Sequence, residues 1–211
     1  MNASKRLFEL KNIACVRGGR ALFQNLSCTL QDGDLLHLSG ANGTGKTSLL
    51  RIMAGALRAA RGDILWNRQA FLADGPEEHA RRIAFLPSDD RNLKVLETAG
   101  ENLDFWASLG ASGNRNDALT RMGLQALADT PVRRLSAGQR RRLSLARILL
   151  SNAPVWLLDE PINGLDAASA DLFRAALNDH VAKGGMAAIA SHYPVEPPQA
   201  GSLRRVVMGA A

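Results

Sequence analysis

Short apolar runs separated by glycine- and proline-marked turns, interrupted once by a long helical stretch, form the dominant pattern of the chain. Apolar and polar residues interleave as in strands from Leu7 to Val16 and again from Leu22 to Leu30. Gln31-Asp32-Gly33-Asp34 marks a turn, and Leu35-Leu36-His37-Leu38-Ser39 is a short apolar run of the kind a buried strand shows. Glycines follow at once, then Thr47 to Leu57 with helical spacing. Arg61-Gly62-Asp63 turns into a short strand, Ile64 to Trp66, and Ile83 to Leu86 reads as a strand ended by Pro87. The stretch from Thr98 to Leu150 is helix-rich, with breaks at Gly110 to Asn116 and at Thr130-Pro131. Two more buried-strand runs, Val155 to Leu158 and Met186 to Ala190, flank a helical segment from Asp166 to Lys183.

Strands alternating with helices predict an α/β fold with a mostly parallel sheet covered on both faces. The helix-rich stretch then reads as an insertion, about residues 88–150, into a core formed by about 1–87 and 151–211. The tail beyond His192 is short and leaves little room for a second domain.

Composition narrows the setting without naming a chemistry. The 211 residues suffice for one domain with a sizeable core, and 46% hydrophobic with 22% charged residues is ordinary for a globular protein. No apolar run approaches the roughly 20 residues needed to cross a bilayer. Met1 to Leu10 alternates polar and apolar residues and lacks the apolar block of a signal peptide, so a cytosolic chain is expected. The net charge of +6 sits largely in clusters such as Arg81-Arg82, Arg133-Arg134 and Arg140-Arg141-Arg142. These read as solvated helix faces, and no nucleic-acid partner is expected from them. Cys15 and Cys28 have no metal, redox or haem-attachment spacing and read as small apolar thiols.

One segment carries chemistry by itself. Gly40-Ala41-Asn42-Gly43-Thr44-Gly45-Lys46-Thr47, followed by Ser48, fits G-x-x-x-x-G-K-[ST] and lies between an expected strand and an expected helix. Glycines allow successive backbone N–H groups to turn inward around phosphate oxygens, and the helix N-terminus adds positive potential. Lys46 would neutralise the β- and γ-phosphates, and the Thr47 hydroxyl would bind Mg²⁺. The bland alternative is a glycine-rich turn with a surface lysine, which would not need the strand–helix context.

Further residues follow in a fixed order. Leu135-Ser136-Ala137-Gly138-Gln139 precedes an arginine-rich helical stretch, Val155 to Leu158 runs into Asp159-Glu160-Pro161, Gly164-Leu165-Asp166 comes next, and His192 follows the last apolar run. With these residues in this order, the chain resembles an ATP-binding cassette ATPase over nearly its whole length. The resemblance implies a P-loop NTPase (RecA-like) core with an N-terminal antiparallel β part and an inserted helical subdomain. It makes Asp159 a Mg²⁺ ligand beside Thr47, Glu160 the group that polarises the attacking water, and His192 a neighbour of the γ-phosphate. It also makes Ser136, Gly138 and Gln139 the part that caps ATP bound to a second copy of the chain, so the ATP-bound form would be a homodimer. Ala137 stands where the family commonly has glycine.

Two positions depart from the family pattern. An aromatic residue often stacks on the adenine, and the matching position here is Arg17, whose guanidinium can also stack on a base. A glutamine often follows the strand entering the insertion. Here Leu86-Pro87-Ser88-Asp89-Asp90 has none, and Asp89 is the expected substitute near the metal.

Within the family, the brevity of the chain and the stretches Glu101 to Phe105 and Leu135 to Arg142 are similar to the ATP-binding subunits of the haem exporter of cytochrome c maturation. That similarity implies transmembrane permease subunits in separate chains, a place on the cytoplasmic face of the inner membrane, and no haem binding by this chain. A small exporter of drugs, lipids or ions, and an ATP-binding sensor with little turnover, are the competing readings.

Overall fold

A computed structural model describes residues 5–71, 75–198 and 201–209. Two sheets organise the fold. The first is antiparallel, with strand order β2-β1-β4-β5, where β1 is Leu7–Arg17, β2 is Arg20–Gln31, β4 is Arg61–Trp66 and β5 is Gln69–Ala70. The interleaved pattern of Leu7 to Leu30 produces the long β1–β2 pair, whose register shifts between Leu10 and Val16 bend it. Phe8, Leu10, Ile13 and Leu30 are fully buried beneath it.

The second sheet is parallel, with order β6-β7-β8-β3-β9. Its strands are β3 (Asp34–Ser39), β6 (Ile83–Leu86), β7 (Val155–Asp159), β8 (Met186–Ala190) and β9 (Ser202–Val207). Every residue of β7 and β8 is buried, which is why both read as unbroken apolar runs rather than alternating ones. Leu36, Leu38, Leu157 and Ala188 face the side shared with helix α1 (Lys46–Met53), while Leu35, Leu158, Ala187 and Ile189 face the side shared with α6 (Ala167–Ala182).

Between β6 and β7 stand α3 (Ala99–Ser108), α4 (Arg115–Arg121) and α5 (Ala137–Ser151), joined by two single-turn 3₁₀ segments. Thr98 and Glu101 form a capping box at the start of α3, and Ser136 with Gln139 forms another at the start of α5. The α/β expectation with its parallel core and antiparallel N-terminal part agrees with this architecture.

Three elements were not legible in the pattern: β5, the short helix α2 (Pro76–Arg82) and β9. The last strand pairs Asp34 with Ser202 through Ser39 with Val207 and extends the core sheet, so the short tail contributes an edge strand. Its exposed arginines, Arg204 and Arg205, mask the strand signal, and edge strands tolerate such charge. Helix α1 ends at Met53, shorter than expected, because Gly55 turns the chain with a φ of 71°.

Candidate active site

Strand register places the chemistry at one edge. Asp159 at the end of β7 pairs with Ala190 at the end of β8, and Ala190 pairs in turn with Leu38 of β3. The segments leaving those three strands are therefore side by side: the glycine-rich loop after β3, Glu160 after β7, and Ser191-His192 after β8. Carboxyl ends of parallel strands are where open α/β sheets gather ligands.

The loop at Gly40–Thr47 is held tightly. Gly40 has a φ of 134°, and a Cβ there would fall 2.4 Å from the Met208 carbonyl oxygen. Gly45, the N-cap of α1, has a φ of 101°, and a Cβ there would lie 2.8 Å from the Phe23 ring. Neither position admits a side chain. Because Gly45 offers no side-chain cap, the first N–H groups of α1 stay open towards the loop. Lys46 is buried, and its Nζ donates to the carbonyls of Gly40 at 2.7 Å and Ala41 at 3.0 Å. Neutral carbonyls satisfy the donors without neutralising the charge, which leaves a positive centre under the loop.

The Thr47 hydroxyl donates to Asp159 Oδ2 at 2.8 Å, across 112 positions of sequence. A hydroxyl and a carboxylate in contact form the start of a hard-oxygen set suited to Mg²⁺, which usually takes its remaining ligands from phosphates and water. Glu160, one residue on, is a mostly buried carboxylate with a left-handed φ of 48°. Its N–H donates to Ala190 O at 2.9 Å. His192 Nε2 lies 3.5 Å from Glu160 Oε1, with the imidazole about half exposed. These groups open onto a cavity of about 430 Å³ lined by Asn42, Lys46, Thr47, Asp159, Glu160 and His192, among others. That size suits a nucleotide.

Other expected residues lie elsewhere. Asp89 does not line the cavity: its carboxylate pairs with Arg91 at 3.2 Å, and Ser88 takes the lining position. Arg17 sits exposed beside the turn of the β1–β2 hairpin, where it pairs with Arg20, and Leu22 is the hairpin residue at the cavity wall. Ser136, Gly138 and Gln139 are not at this cavity. Ser136 Oγ accepts from Gln139 N–H at 3.2 Å, while Gln139 Oε1 accepts from Ser136 N–H at 2.8 Å. Gln139 thus works for the cap, and Ser136 keeps its hydroxyl proton at an exposed helix start.

Sequence reading missed Asn163, Ser88 and Arg141. Asn163 could have been found from its place in the turn between Glu160 and Gly164. Arg141 could not, since it stands in a run of three arginines. It is buried, and its guanidinium reaches the carbonyls of Pro87, Asp159, Glu160 and Pro161 at 2.7–3.2 Å. Burial lowers its pKa, while nearby Asp90, Asp159, Glu160 and Asp89 oppose that shift. Hydrogen bonds from a charged donor are worth about 1.5–3 kcal/mol each, enough together to offset a desolvation cost of several kcal/mol.

The sequence matches the ABC transporter family over residues 23–163, about two thirds of the chain. This chain belongs to the ABC transporter family. It is 46% identical, over 95% of its length and 94% of that protein, to the cytochrome c biogenesis ATP-binding export protein CcmA of Paramagnetospirillum magneticum. It is 42% identical to the protein of the same name from Sphingopyxis alaskensis, covering 96% of this chain and 97% of the other. An ABC transporter ATP-binding protein of Pyrococcus furiosus has the same fold, with a TM-score of 0.80 at 24% identity over 94% of this chain and 96% of that one. So does a dimeric ATP-binding cassette in a post-hydrolysis state bound to ADP and Pi, with a TM-score of 0.77 at 22% identity over 88% of both chains. Among the described residues of this family member, no helix is long and apolar enough to cross a membrane.

Proposed function

We propose that this chain hydrolyses ATP to drive an ABC export complex serving cytochrome c biogenesis, with the transport path in separate membrane subunits. The contact between Thr47 and Asp159 beneath a glycine-rich loop is the observation that carries the ATPase reading. The CcmA relatives carry the biological setting.

Lys46 binds and neutralises the outer phosphates, and loop N–H groups from Gly43 to Ser48 fix their position. Thr47 and Asp159 would hold Mg²⁺, which neutralises charge developing on the phosphate oxygens when bound. Glu160 accepts hydrogen bonding from the attacking water and orients it, with His192 facing the same carboxylate at 3.5 Å. Catalysis is then mainly positioning and charge neutralisation. Ser136 and Gly138, together with the N-terminus of α5, complete the site of a second copy by offering a hydroxyl donor and positive helix-end potential.

The test is to purify the chain with its membrane partners and assay hydrolysis in that complex. Cytochrome c biogenesis subunits in the complex, with hydrolysis lost in Glu160→Gln, support the proposal. An unrelated permease with the same hydrolysis overturns the biogenesis setting, and normal hydrolysis in Glu160→Gln overturns the role of Glu160.

A further inference from the structure

Arg141 opens the second turn of α5, five residues after the exposed Ser136 cap, yet its side chain ends under the turn that carries Glu160. Four of its five N–H donors are hydrogen-bonded. Nε bonds to Pro161 O at 3.2 Å, and Nη2 bonds to Asp159 O at 2.8 Å and to Glu160 O at 2.7 Å. Nη1 bonds to Pro87 O at 2.8 Å and faces Asp90 Oδ1 at 3.8 Å. A guanidinium has five N–H groups in a fixed plane, and here the partners come from two separate segments, Pro87–Asp90 and Asp159–Pro161. Asp90 is itself tied to α5, because the Ser144 hydroxyl donates to it at 3.3 Å. The start of α5 also runs close to the residues just beyond this turn: a Cβ built at Gly138 would lie 3.4 Å from the Gly164 carbonyl oxygen.

Glu160 adopts a left-handed backbone that a glutamate does not favour by itself. Something must hold it there. The bonds from Arg141 grip the carbonyls on both sides of the strained residue and its own carbonyl as well. They lock the peptide planes that set the direction of the Glu160 side chain.

We propose that Arg141 is the positioning residue for Glu160, and that through it the placement of Glu160 depends on the start of α5 and on the Pro87–Asp90 segment. This rests on the reading of Glu160 as the group that orients water. Any displacement of α5 or of the segment after β6 is transmitted to the carboxylate through one rigid planar group, whereas Arg141 makes no bond to the phosphate loop itself, which it meets only through Asp159. Turnover and ATP affinity should therefore separate.

Arg141→Met, Arg141→Lys and Asp90→Asn are compared with the unaltered chain in the co-purified complex, by steady-state ATP hydrolysis and by binding of a fluorescent ATP analogue. Arg141→Met should lower kcat about 10- to 100-fold, the scale of a misplacement near 1 Å. KM and analogue affinity should stay within about twofold. Lysine supplies fewer donors without the planar fork, so Arg141→Lys should recover part of the loss. Asp90→Asn leaves the carbonyl bonds in place and should lower kcat by about threefold, again without changing affinity. Wild-type kcat in Arg141→Met overturns the proposal, as does an equal loss in affinity, or a lysine variant no better than methionine. If Arg141→Met does not fold, wild-type kcat in both remaining variants overturns it. Glu160→Gln, assayed alongside, separates the two readings. Normal turnover there removes the basis in Glu160, while lost turnover with Arg141→Met unaffected removes only the role of Arg141.

Discussion

The two ends of strand β7 carry similar residue types to opposite purposes. At the carboxyl end, Asp159 and Glu160 meet Thr47 and His192 around a cavity of about 430 Å³. At the amino end, another polar cavity of about 230 Å³ is lined by Arg6, Arg121, Trp156, Asp179 and His180. There Arg6 bonds to Asp32 at 2.7 Å and to Gly184 O at 2.9 Å, Arg121 bonds to Asp179 at 2.7 Å, and His180 stacks on Trp156 at 3.9 Å. Polar lining alone therefore does not mark a site. What differs is that the cation at the carboxyl end, Lys46, meets only neutral carbonyls, and the helix start beside it is left without a side-chain cap. Groups that remain able to bind something are the ones gathered where the parallel strands end.

If that difference is functional, substitutions at the carboxyl end should change activity and leave stability near the wild-type value. Glu160→Gln should show the largest effect, a loss of turnover of about 100-fold or more, as expected for removal of a general base. ATP binding and thermal midpoint should hold. Normal hydrolysis in this variant would break the comparison at its strongest point. Lys46→Ala comes next. Loss of one charge-assisted contact to phosphate, about 1.5–3 kcal/mol, should weaken ATP binding some 10- to 100-fold, read by titration with a fluorescent analogue. Unchanged affinity would mean that the positive centre under the loop is structural.

Ser136→Ala sharpens the contrast between a site that one chain holds and a part it presents to another. Loss of the cap should destabilise α5 by about 1 kcal/mol. Nucleotide affinity of the single chain should not change, because Ser136 lies away from its own cavity, while turnover in the paired form should fall several-fold, about the effect of one lost hydrogen bond. A loss of affinity in the isolated chain would place Ser136 at the wrong site.

How far the sequence reached follows the same division. The glycine-rich loop, Asp159 and Glu160 were legible because phosphate chemistry restricts both residue type and spacing, and buried parallel strands leave unbroken apolar runs such as Val155 to Leu158. Two expected positions, each found by counting, lie away from the cavity lining. Counting leads to Asp89, yet a one-residue difference in an irregular segment decides which side chain faces the cavity, and here it is Ser88. Arg17, the position matched to base stacking, is exposed beside the turn of the β1–β2 hairpin. Strand β9 was missed because its charged residues follow edge position rather than burial. Arg141 was hidden for a tertiary reason. Among three adjacent arginines, only the rotation of α5 decides which one turns inward, and helical spacing alone does not say what waits beneath it.

The smallest effect on activity is expected at the amino end of β7, where the effect on stability should instead be plain. Burial lowers the His180 pKa from 6.5 to about 4, with Arg6 adding to the shift and bonds to the Met186 and Pro154 carbonyls opposing it. The unfolded chain takes up this proton near pH 6.5, whereas the folded chain resists until about pH 4. Stability from this group is thus complete above pH 6.5 and lost as pH falls towards 4, a change of roughly 3 kcal/mol. Carboxylates titrate in the same range, so the difference between two proteins isolates the histidine. In His180→Gln, the denaturation midpoint should fall less steeply across this window than in the unaltered chain, while ATP hydrolysis at neutral pH remains at the wild-type rate. An unchanged slope would remove His180 as the responsible group. A loss of hydrolysis at unchanged stability would show that the amino end of β7 also serves the reaction, and the two ends would no longer differ in kind.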